Sequence, residues 1–112
     1  MMKSHHAIPI LVKRIDWLCQ RIANAEVTGI PSHKYHDEVG ATRAACYWMG
    51  AAMEEVPGVK GHAARVVPNF DLSATISSLH KLARTELAAG RQASAEAIDF
   101  AIATILASEG AA

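Results

Sequence analysis

Large side chains are scarce in this chain. Two each of Phe, Trp and Tyr stand against 22 alanines in 112 residues. An alanine-rich core buries little area per residue, so helices have to pack closely around a thin interior, and a small domain of that kind is only modestly stable. Charge of one sign is missing too. Lys plus Arg and Asp plus Glu are 11 each, for a formal net charge of zero, which excludes the broad basic excess of a dedicated phosphate-neutralising protein. Two cysteines are too few for a disulfide scaffold, and Cys19 and Cys46 both fall on or beside apolar helical faces, where reduced, buried thiols are expected. Long hydrophobic runs are absent. The longest uncharged one, Ala44–Met53, covers about half of the roughly 20 residues a membrane span needs. Ala7–Val12 meets Lys13, Arg14 and Asp16 too soon to serve as a signal peptide. The expectation is one cytoplasmic domain over residues 1–112.

What is present is helical periodicity. The spacing predicts an all-α fold, a small bundle of about four helices over residues 9–27, 34–56, 72–89 and 94–108, with an irregular connection over 57–70. Leu11, Ile15, Leu18 and Ile22 form the first stripe, opened by Pro9 in a first turn and closed by Gly29 before Pro31. Trp17 lies off that stripe, near Ile10, Arg14 and Arg21. Asp71 or Ser73 caps the third helix, whose stripe is Leu72, Ile76, Leu79, Ala83 and Leu87, and Gly90 stops it. Ser94 caps a fourth helix with Ala95, Ile98, Ile102, Ile105 and Leu106 inward. The His5-His6 pair is assigned to a loose N-terminus.

The second helix is apolar almost all round. Ala41, Ala45, Trp48, Ala52 and Val56, with Met49 and Met53, make one stripe; His33, His36, Gly40, Ala44, Tyr47 and Ala51 make another side. Only Arg43, Gly50 and Glu54 are left as a solvated strip. A helix of this kind must be covered on more than one side, and three other helices with narrow stripes need not reach it all. The His33, His36, Gly40, Ala44, Tyr47, Ala51 side is therefore the expected interface, with Trp17 as an outlying anchor, since Trp and Tyr are enriched at binding hot spots.

Catalytic signatures are lacking. No Gly-rich elbow exposes a serine, no phosphate-binding loop follows a strand, and no HExxH occurs. His33 and His36, three apart, with Asp37 or His62, are the metal-ligand candidates, but the set is unspecific and no metal or cofactor is assigned. The hairpin 72–108 has the outline of a helix-turn-helix, yet its second helix carries Glu96 and Asp99 and no Lys or Arg.

The function expected is that of a non-enzymatic helical interaction protein, an inhibitor, adaptor or accessory protein of bacterial or phage type, including one directed at a host defence complex. It would bind a protein partner, as a homodimer. The alternatives are a metal-binding or pH-responsive protein using His33 and His36, and a nucleic-acid accessory protein using the Lys13, Arg14 and Arg21 face.

Overall fold

The computed structural model describes residues 3–29, 31, 33–50 and 69–110. Within them are four helices and no strand: α1 (Ser4–Thr28), α2 (His33–Trp48), α3 (Leu72–Ala88) and α4 (Gln92–Gly110). Each packs against two others in a ring, α1 on α2, α2 on α3, α3 on α4 and α4 on α1, while α2 also touches α4 across the middle. No described helix is long and apolar enough to cross a membrane.

α1 begins one turn before Pro9, so the proline sits inside the helix rather than in its first turn. The added turn includes His5 and His6, whose rings stack tilted at 4.1 Å, so the pair is helical rather than loose. Proline removes the bond to the carbonyl of His5 and crowds it. Ala7, in the added turn, is fully buried in the core. At the other end Gly29 takes a left-handed φ of 75° and its N–H closes on the Ala25 carbonyl, as the sequence predicts.

α2 is shorter than its periodicity suggests. It ends at Trp48, and Gly50 turns the chain at φ 97°. The expected continuation to Val56, and the irregular connection up to Pro68, lie outside the described residues. What remains of α2 is enclosed: every residue from Glu38 to Cys46 is buried, including Thr42, whose hydroxyl donates to the Glu38 carbonyl at 2.7 Å, and Arg43. Arg43 therefore does not belong to a solvated strip. Its guanidinium stays within the fold and donates from Nη2 to the Tyr47 hydroxyl at 3.2 Å. Asn69 fastens α2 to α3. Its N–H donates to the Gly40 carbonyl at 3.0 Å and its own carbonyl accepts from the Thr75 hydroxyl.

α3 starts at the Asp71 cap, whose carboxylate accepts from the Ala74 N–H at 2.8 Å. Its inward stripe is turned relative to expectation. Thr75, Leu79, Leu82, Ala83 and Glu86 are buried, and Leu87 is 61% exposed. Leu82 and Leu87, five apart, cannot share one helix face, and the partners of Glu86 decide which goes in. α4 begins two residues earlier than predicted. It buries Ala95, Ala97, Ile98, Ala101, Ile102 and Ile105, while Leu106 faces outward. Ser94 is not the cap; its hydroxyl serves Glu86.

Cys19 and Cys46 are buried and form no disulfide. Burial pushes the Cys46 thiol up to about 12, against a smaller opposing pull from Arg43. A pKa raised in the folded state contributes stability that is fully present below the unfolded value near 9 and is lost as pH climbs towards 12. Complete loss corresponds to an order of 4 kcal/mol. In thermal melts the wild type is therefore expected to lose stability above pH 9 more steeply than Cys46→Ala. Equal slopes would show that the thiol is not held neutral.

Candidate interaction surface

The densest polar chemistry in the described fold is at the meeting of α1, the end of α3 and the start of α4. Glu86 is 1% exposed and is the hub. Its Oε1 pairs with Arg14 and accepts from the Ser94 hydroxyl at 2.9 Å. Its Oε2 accepts from Arg91 Nε at 2.8 Å and Nη2 at 2.5 Å. Two guanidiniums and a hydroxyl thus satisfy one buried carboxylate, as a charge out of water requires. Burial lowers the Arg14 pKa from its ordinary value; attraction from Glu86 opposes this, and Arg91 adds to it.

The same arginines surround Trp17. Arg21 lies 4.5 Å from the ring centroid, Arg14 4.8 Å and Arg91 5.3 Å, all within cation–π range. Arg14 and Arg21 are three before and four after Trp17, so one helix face brings them together. Arg91 arrives from the turn between α3 and α4. Beside this cluster a groove lined by Ile10, Lys13, Arg14 and residues 90–94 opens to solvent. Three guanidiniums (Arg14, Arg21 and Arg91) lie around Trp17 and Lys13 lines the adjoining groove, in a chain whose total charge is zero.

The residues expected to form the interface are dispersed. Gly40 and Ala44 are buried within the chain itself, and the Asn69 N–H closes on the Gly40 carbonyl. They are not open surface. His36 and Tyr47 are half-buried, and Tyr47 stands beside Phe70, with centroids 6.2 Å apart. Trp48 meets the same Phe70 edge-on at 5.4 Å. Ala51 and the side chain of His33 lie outside the described residues. Trp17 is half-buried against the core, with its guanidinium company around it.

Of the metal-ligand candidates, Asp37 is exposed and His36 half-buried, while His62 and the His33 side chain lie outside the described residues. Among the described residues no three His, Cys, Asp or Glu side chains gather at metal-binding distance.

Glu86, Arg91 and Ser94 were not legible as a site. The available signal was register: Thr75, Leu79, Leu82 and Glu86 repeat at heptad spacing, which places an acid in line with buried positions. The partners of that acid come from other helices, and no local pattern names them.

The class defined by this arrangement is a small all-α bundle bearing an arginine–tryptophan cluster on its outside. Comparison with protein-family models, curated proteins and solved structures gives no match.

Proposed function

We propose that this chain is a non-catalytic helical interaction protein, an inhibitor or adaptor in manner of action. It docks on an acidic surface of another protein through the Trp17 face of α1, and it works as a homodimer. The observation that carries this reading is the Trp17 ring set among three guanidiniums. Trp and Arg are the side chains that dominate binding hot spots, and guanidiniums match carboxylates in geometry and charge. Glu86 holds two of the three arginines, so they are pre-placed and less rotamer freedom is lost on binding. A protein partner is favoured over nucleic acid because the chain has no net charge to draw in a polyanion and Glu86 already matches part of the local excess. Cys46 is a poor nucleophile, since burial pushes its pKa up to about 12 and the thiolate is the reactive form. Two buried thiols suit a reducing, cytoplasmic setting.

Affinity capture from the native host with untagged wild type, Trp17→Ala, Arg21→Glu and Tyr47→Ala tests the reading. Trp17→Ala is expected to weaken the captured complex by about thirtyfold, the cost of a hot-spot truncation near 2 kcal/mol. Arg21→Glu should weaken it and remove its salt dependence, while Tyr47→Ala changes little. A protein complex indifferent to Trp17→Ala and Arg21→Glu overturns the surface. Capture of DNA or RNA by the same face overturns the protein partner.

A further inference from the structure

A second face is also unaccounted for, the outer side of the α3–α4 hairpin. The short turn Ala89–Arg91 makes the two helices antiparallel neighbours. Between them runs a groove lined on α3 by His80, Ala83, Arg84 and Leu87, and on α4 by Gln92, Ala95, Glu96 and Asp99. Its volume is about 190 Å³, below the range of small-molecule sites but sufficient for inserted side chains. The polar groups are sorted by helix: the basic side chains His80 and Arg84 on α3, the carboxylates Glu96 and Asp99 on α4. Among the described residues none of these four makes an ion pair, and the only side-chain hydrogen bond any of them forms is from Gln92 to Glu96, at 3.2 Å. Leu87, at 61% exposure, flanks the groove at the turn end, and Leu106, at 49%, continues the α4 side seven residues beyond Asp99.

We infer that this face mates with the same face of a second copy, α3 of one protomer lying on α4 of the other, which rests on the dimer proposed above. Symmetry and charge select the arrangement. Antiparallel pairing about the turn brings Arg84 level with Glu96 and His80 level with Asp99. A two-fold axis parallel to the helices keeps every residue at its own height while exchanging α3 for α4. Arg84 then meets Glu96 of the second copy, His80 meets its Asp99, and both contacts occur twice, as an isologous interface demands. A two-fold axis across the helices would instead lay α3 on α3 and oppose like charges, which is costly. Leu87 and Leu106 supply apolar area that the monomer leaves in water.

Sedimentation equilibrium on the full chain, with Arg84→Glu, Glu96→Arg and the two combined, tests the inference. The wild type is expected at twice the 12.0 kDa chain mass. Each single reversal should raise the dimer dissociation constant at least about tenfold, and the combination should restore it to within about threefold, because like charges meet only in the single variants. Arg84 and Glu96 both line an open groove, so circular dichroism spectra of the variants should match wild type in helical content. A monomeric wild type at micromolar concentration overturns both this face and the dimer. A dimer unmoved by either single reversal overturns the face and leaves the dimer standing. Weakening without restoration in the combination overturns the α3-on-α4 pairing.

Discussion

Glu86→Ala is expected to cost about 3 kcal/mol of folding stability, because removing one partner of a buried ion pair leaves the other charge uncompensated. The residue is 1% exposed and bonded to Arg14, Arg91 and Ser94, so three polar groups lose their acceptor together. The Arg14 side chain is 13% exposed and Nη1 has no hydrogen-bond partner as it stands. After truncation it must swing out to water or stay buried and unpaired. The Arg91 side chain, 36% exposed, reaches solvent easily and contributes less to the loss. For a domain of this length the melting temperature should fall by roughly 10–15 °C, at about 4 °C per kcal/mol. Combining Glu86→Leu with Arg14→Met is expected to recover most of the loss, since an apolar pair of similar volume avoids desolvation altogether. If Glu86→Ala melts within about 1 °C of wild type, the network is not a buried ion pair in solution.

The second large effect belongs to the core. Ile15 is completely buried in the middle of α1, and Ile15→Ala should destabilise by about 4 kcal/mol, within the 2–5 kcal/mol span of large-to-small core changes. The upper part of that span is expected because the surrounding core is rich in Ala7, Ala41, Ala45, Ala97 and Ala101. Alanine has no rotamer with which to fill a cavity, so only movement of whole helices can close it. Val27→Ala, at a position 88% exposed on the same helix, should stay within about 0.5 kcal/mol and serves as the control. Urea denaturation of the three proteins decides the point. A loss below about 1.5 kcal/mol for Ile15→Ala would mean that the bundle is loosely packed and collapses freely.

Helix number, approximate bounds and the α1 stripe were readable from residue order because they depend on spacing within one element. Leu11, Ile15, Leu18 and Ile22 recur every three or four residues, and all four are buried. The Asp71 cap and the Gly29 stop are likewise local, each needing only backbone groups within four residues. The Trp17, Arg14 and Arg21 grouping was visible for the same reason. Its importance was undervalued because Arg91, the third guanidinium, lies seventy residues further along the chain.

The opposite held for α2. Its lack of a polar face was plain in the residues 33–56, but that pattern says only that the helix must be covered, not by what. In the structure Gly40 and Ala44 are buried within the chain, with the Asn69 N–H on the Gly40 carbonyl, so these two positions are not open surface. The same dependence on neighbours turned α3 so that an acid points inward and Leu87 outward, because Glu86 finds two arginines and a serine at that place.

The scarcity of large side chains and of net charge therefore set, from composition alone, the expectation of a thin interior and no overall basic excess. Which faces remain open is a different kind of quantity. It depends on long-range contacts between helices, and those moved the candidate surface from α2 to the Trp17 arginine cluster and the outer groove of α3 and α4.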